Sequence, residues 1–153
     1  MKQQTVIKSL NSIEERVVKY IEEQFDDGVH IVKECLDKVD ELDCFLDDRC
    51  SNVDAFKSWE IKDQIIRDFF DSDEEFTYIV SSLERLIEDL EVSHQHCDDD
   101  ESDYWMELTD KVTGAYEELY MYNNDVELES LEQIENALIG VKNKLQEVIN
   151  ELQ

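Results

Sequence analysis

Residues 131–152, LEQIENALIGVKNKLQEVINEL, place Leu131, Ile134, Leu138, Val141, Leu145, Val148 and Leu152 at alternating steps of three and four. At 3.6 residues per turn this spacing gathers all seven apolar side chains on one stripe of a helix. Such a seam suits knobs-into-holes packing, either within a bundle or against a second copy of the chain.

Working outward, the same period recurs. Val6, Leu10, Ile13, Val17 and Ile21 predict a first amphipathic helix that ends near Phe25, with Asp26-Asp27-Gly28 as its break. Val29, Val32, Leu36, Val39, Leu42 and Leu46 predict a second, closed by a polar turn from Asp47 to Asn52. Phe56, Trp59, Ile66 and Phe69 belong to a third, with Ser51 or Asn52 as its N-cap. Ser72-Asp73-Glu74-Glu75 has the capping-box pattern and opens a fourth, with Phe76, Val80, Leu83, Ile87 and Leu90 inward. Ser93 to Ser102 (SHQHCDDDES) reads as a loop. A fifth helix is expected from about Asp103 to Tyr122, with Trp105, Leu108, Val112, Tyr116 and Leu119 inward. Asn123-Asn124 ends it and caps the sixth, from about Asp125 to Leu152. The chain has no proline, three glycines and no strand-like alternation. The expectation is an all-α, single-domain bundle of about six mostly antiparallel helices spanning residues 1–153.

Charge narrows the function. The 153 residues carry 41 Asp and Glu against 14 Lys and Arg, a formal net of −27, and 36% of them are charged against about 25% in an ordinary domain. Direct binding to DNA, RNA or an anionic membrane needs cations at the contact, so the sign argues against all three. No apolar run approaches the roughly 20 residues that span a bilayer. The N-terminus lacks the apolar core of a signal peptide. Cys35, Cys44, Cys50 and Cys97 fall far below disulfide-scaffold density, so a soluble cytoplasmic protein with reduced thiols is expected. Disorder is the other reading of high charge, but the sustained periodicity and 14 aromatic residues oppose it.

The imbalance is local. Residues 1–67 hold 16 acids and 10 bases, residues 136–153 two of each, and residues 68–135 hold 23 acids with only Arg85 and Lys111 as bases, a net of −21. In the first part opposite charges sit four apart, as in Glu15 with Lys19 and Asp63 with Arg67, each pair stabilising a helix by about 0.2–0.5 kcal/mol. In the acidic part the same spacings join like charges. Glu84, Glu88 and Glu91 form one stripe on the fourth helix. Asp103, Glu107 and Asp110 form another on the fifth, where Glu117 continues the line past Gly114, and Asp125, Glu129 and Glu132 form a third on the sixth. Asp98-Asp99-Asp100-Glu101 adds an acidic loop. Like-charge neighbours cost about as much as pairs contribute, so the stripes point to a functional surface.

Carboxylates four residues apart rise about 6 Å along a helix, and neighbouring helices lie about 8–10 Å apart. Such rows can stand in for DNA phosphates, taking charge-assisted hydrogen bonds from a partner's Arg and Lys. In charge, size and helicity the chain resembles the small acidic proteins with which phages block restriction enzymes or CRISPR effectors by mimicking DNA. The resemblance implies a non-catalytic inhibitor of a basic nucleic-acid-binding protein, such as a defence nuclease, acting in the host cytoplasm. It rests on no motif and carries over no residues. The alternatives are an antitoxin or immunity protein that sequesters a basic toxin, and a helical scaffold that forms a homodimer through the Leu131–Leu152 seam while its acidity serves solubility.

Other chemistry is weakly represented. His94, His96 and Cys97 are compact, but no second half-site completes a zinc ligand set, and Cys44 and Cys50 are too far apart for the usual Cys-x(2–4)-Cys. Glu91-Val92-Ser93-His94 is half of a di-iron pattern without its mate. The Asp98–Asp103 cluster lacks the ligand order and glycine of an EF-hand. No nucleophile elbow or phosphate-binding glycine loop occurs. The sequence thus predicts no enzyme, no cofactor and no resident metal.

Overall fold

The computed structural model describes residues 2–25, 30–49, 57–123, 127–128 and 130–153, and every regular element among them is helical. Six helices have fifteen residues or more: α1 Gln3–Lys19, α2 His30–Arg49, α3 Ser58–Ser72, α4 Glu74–Gln95, α5 Ser102–Glu117 and α6 Leu131–Leu152. The all-α bundle expected from periodicity is the observed architecture. The breaks expected at Asp26–Gly28, Ser51 or Asn52 and Asn124, together with Val29 and Phe56, lie outside the described residues.

Four helices make a ring in the order α1, α4, α5, α6 and back to α1. Cross-links show that every neighbouring pair is antiparallel. Arg16 of α1 meets Glu75 of α4, while Lys8 and Arg85 line one groove further along. Tyr116 of α5 reaches Glu84 of α4, Lys144 of α6 reaches Glu118, and Gln3 meets the carbonyl of Leu152. The ring is therefore an up-down-up-down bundle, with the α2–α3 hairpin inserted in the crossover between α1 and α4. Its core is built from the predicted stripes: Val6, Leu10, Val17, Leu83, Leu90, Val112, Leu138, Val141 and Leu145 are fully buried. Each buried Leu, Ile or Val contributes about 1.5–3 kcal/mol relative to exposure. The α6 seam is buried inside this ring, with Ile134, Leu138, Val141, Leu145 and Val148 all closed to solvent. It packs on the chain's own helices, the first of the two options its spacing allowed.

An aromatic cluster seats the inserted hairpin on the ring. The chain leaves α1 through a π-helical turn, Tyr20–Phe25. This wider winding brings residues five apart onto one side, so both Tyr20 and Phe25 are buried. Phe25 stacks on Phe70 at 6.3 Å, Phe70 meets Phe76 at 4.9 Å, and Phe76 meets Tyr122 edge-on at 5.0 Å. Asp63 and Arg67 of α3 then hold the connection between α5 and α6. Asp63 accepts from the backbone N–H of Leu128 at 2.8 Å, and Arg67 donates to the carbonyl of Tyr122 at 2.7 Å.

Several boundaries differ from the sequence reading, each for a local reason. The cap of α4 is Asp73, whose carboxylate accepts from the N–H groups of Glu75 and Phe76, while Ser72 closes α3 by donating to the carbonyl of Phe69. α5 stops at Glu117, because i→i−3 bonds from Glu118 and Leu119 tighten the chain and bury Leu119 before a one-turn helix, Tyr120–Asn123. α6 starts at Leu131 behind a Ser130–Gln133 capping box. α2 continues to Arg49, and α3 opens at Ser58 with Trp59 exposed. Ser93–Ser102 is mostly regular: α4 runs to Gln95, a 3-10 turn covers Asp99–Glu101, and Ser102 begins α5. No described helix is long and apolar enough to cross a membrane.

Asp73 has a second role, since the buried Tyr20 hydroxyl donates to its other oxygen at 2.9 Å. Asp73→Ala removes the cap, worth about 1 kcal/mol, and leaves the Tyr20 hydroxyl without its acceptor, a further 1–3 kcal/mol or so. Chemical denaturation should show a loss of about 2–4 kcal/mol, whereas Tyr20→Phe, which keeps the cap, should cost about 1 kcal/mol.

Candidate functional site

α4 and α5 form an antiparallel hairpin whose inner faces are buried through Phe76, Ile79, Leu83, Leu86 and Leu90 on one helix and Trp105, Leu108, Val112 and Ala115 on the other. At about 100° per residue, Glu88 lies opposite the buried stripe of α4, with Glu84 and Glu91 turned toward α5. On α5, Asp103, Asp110 and Glu117 point within about 20° of straight outward by the same count. All six are exposed. At the corner, Asp98, Asp99, Asp100 and Glu101 are exposed as well, wound into a turn by the bond from the Glu101 N–H to the Asp98 carbonyl.

Two of the three predicted stripes therefore share one surface, joined by the acidic corner. Of the third stripe only Glu132 lies among the described residues, and it does not join them. Glu132 opens α6, which stands diagonally across the ring from α4, so it faces away. Its N–H is capped by Ser130, and a carboxylate in a first turn is favoured by the helix dipole. Asp125 and Glu129 lie outside the described residues. Glu107 also departs from the expectation of an uncompensated row: it tilts toward α6 and pairs with Lys111 at 3.0 Å. Lys111 reaches Glu151 of α6 too, and hydrogen bonds to Glu151 and then Glu107 raise its pKa.

The two bases of residues 68–135 border this surface. Arg85, exposed, lines the groove between α1 and α4 with Lys8 and Asp89, and Lys111 bridges to α6. The strip between them, from Glu88 across Glu84 and Glu91 to Asp103, Asp110 and Glu117, carries carboxylates and no Lys or Arg. Sequence reasoning left Glu101 and Glu117 out of its chosen set, although Glu117 sits seven residues beyond Asp110 and the spacing signal was present.

One carboxylate of the face also holds the fold. Glu84 accepts from the Tyr116 hydroxyl at 2.8 Å, and burial first and Glu84 second push the Tyr116 pKa up to about 12. His94 contacts the Ser102 hydroxyl at 3.0 Å, and the Cys97 thiol donates to the His94 carbonyl at 3.0 Å. These residues thus brace the hairpin corner. Among the described residues no three His, Cys, Asp or Glu side chains converge on a metal position. No protein family, curated protein or solved structure matches the chain.

Two measurements test this geometry. Glu88→Lys places a cation between Glu84 and Glu91, so at low salt it should stabilise the protein by about 0.5–1 kcal/mol, a gain that salt erases. Tyr116 has a folded pKa above its unfolded value of 10.0. Its contribution to stability is thus fully present below pH 10 and lost as pH rises through about 12. Ultraviolet titration should show Tyr116, with Tyr20 and Tyr122, ionising late, above the ordinary tyrosine range, and Glu84→Gln should bring one late tyrosine forward.

Proposed function

We propose that this protein is a non-catalytic inhibitor that occupies the nucleic-acid-binding track of a basic protein by presenting the outer face of α4–α5 in place of phosphates. The supporting observation is that the carboxylates form a continuous strip bounded by Arg85 on the α1 side and Lys111 on the α6 side. Ten carboxylates (Glu84, Glu88, Glu91, Asp98, Asp99, Asp100, Glu101, Asp103, Asp110 and Glu117) lie on α5, the facing half of α4 and the corner that joins them, about 25 Å in all. That averages one charge per about 2.5 Å, between one per about 3.4 Å on a single DNA strand and 1.7 Å on the duplex. The density supports mimicry of a nucleic-acid backbone. The partner's guanidinium and ammonium groups would exchange phosphate oxygens for carboxylates, and association would be fast and weakened by salt. The setting we propose is defence evasion, with a phage-encoded inhibitor acting on a restriction or CRISPR nuclease.

The test compares capture of proteins by the wild-type chain and by Asp103→Lys/Asp110→Lys/Glu117→Lys, whose helicity is checked by circular dichroism. The expected partner binds nucleic acid, elutes in rising salt, is displaced by added DNA, and is lost in the triple variant. Equal retention by the triple variant would overturn the reading. A partner that DNA does not displace would replace it with the immunity reading.

A further inference from the structure

The C-terminal end of α5 holds two acids where a helix favours bases. Glu117 closes the helix, Glu118 caps it, and its last turn contains no Lys, Arg or His. The helix dipole is negative at that end, so a cation there is stabilising and a carboxylate is not. Glu118 finds its cation on α6, in Lys144 at 3.0 Å. Gly140 makes that pair possible, because a Cβ at its position would collide with the Glu118 carboxylate. Glu117 is exposed and has no ion-pair partner among the described residues. Beside it an open groove of about 540 Å³ runs between α5 and α6, with Gly114, Glu117, Tyr120, Asn136, Ala137 and Lys144 in its lining.

We infer that this groove receives an arginine side chain of the protein that the α4–α5 strip engages, resting on the strip reading for that partner's identity. Charge selects a cation. Lys144 and Glu118 neutralise each other, which leaves Glu117 and the negative end of α5 uncompensated. The walls select arginine over lysine. Gly114 and Ala137 leave the floor low, and the nearest atom to a Cβ at Gly114 is the Lys144 Nζ, 3.9 Å away. That floor suits the apolar stem of a long cationic side chain. Tyr120 lines the groove with 59% of its surface exposed, and a flat guanidinium stacks on such a ring better than an ammonium does. The Glu117 carboxylate and the Asn136 side-chain carbonyl supply acceptors for the guanidinium's fork of N–H donors. Glu117 belongs to both the strip and the groove, so the groove continues the strip toward α6.

The probe is Nα-acetyl-arginine methylamide, titrated beside its lysine counterpart while backbone amide shifts are followed by NMR. Saturable shifts are expected at Gly114, Ala137 and Gly140, with half-saturation at a concentration about two- to fivefold lower for arginine. Tyr120→Leu removes the ring, and Gly114→Leu, which favours the helix, fills the floor. Each should abolish the preference at Ala137 and Gly140 with helical circular dichroism retained. Asp103→Lys/Asp110→Lys, on the strip alone, should weaken both probes alike and leave the preference in place. Equal half-saturation for the two probes, no saturable shift in the groove, or a preference that survives both leucine variants would overturn the inference. The strip reading fails separately. An arginine-selective groove with no nucleic-acid-binding partner captured overturns the strip and not the groove, and capture with an unselective groove does the reverse.

Discussion

A chain with a formal charge of −27 folds only where apolar burial exceeds its self-repulsion. That constraint organises the structure. The ring of α1, α4, α5 and α6 buries uninterrupted stripes, and no charged or polar side chain is buried among the described residues. Acidic residues are thereby driven to outer faces, where water and salt screen them. Concentrating them on the α4–α5 hairpin leaves bases on the remaining helices to form ordinary ion pairs, such as Lys62 with Asp40 and Asp63 with Arg67.

Scarcity of cations also changes how the helices are fastened together. With few Lys and Arg to bridge elements, three tyrosine hydroxyls do so by donating to carboxylates: Tyr20 to Asp73, Tyr116 to Glu84 and Tyr122 to Asp71. Each bond turns a surplus acceptor into a cross-link, and the carboxylates involved lie on α4 or just before it. Burial, then the acidic partner, raises the pKa of each of these tyrosines. The hydroxyl therefore stays a donor to higher pH than an ordinary tyrosine would. The helix that presents Glu88 outward is thus anchored at its N-cap to the π-helical turn and on its flank to α5, while the end of α3 is tied to the one-turn helix.

Fold class was legible in the sequence because periodicity reports burial directly, and the seams of α1 and α6 needed no correction. Ends were less legible. Ser72 and Asp73 both cap well, and only the direction in which α3 meets α4 selects Asp73. Trp59 falls on a helical stripe, yet α3 extends past the core at that point and leaves it exposed. The candidate surface was half legible. Spacing along one helix shows which carboxylates are aligned, which Asp103, Asp110 and Glu88 satisfy. It does not give the rotation of one helix relative to another, so the position of Glu132 on a different face was invisible. The pairing of Glu107 with Lys111 follows the i,i+4 rule and was open to reading, whereas the bond from Lys111 to Glu151, forty positions away, was not.

The two tryptophans divide between the two parts of the molecule. Trp105 is buried on α5 beside the acidic corner, and Trp59 is exposed on the inserted hairpin. Their emission is accordingly blue-shifted for one and red-shifted for the other, and a polar quencher reaches them unequally. The molecule carries an intrinsic pair of fluorescent reporters, one for the ring and one for the insertion. Whether these two parts melt together or in sequence can be read from a single unlabelled sample.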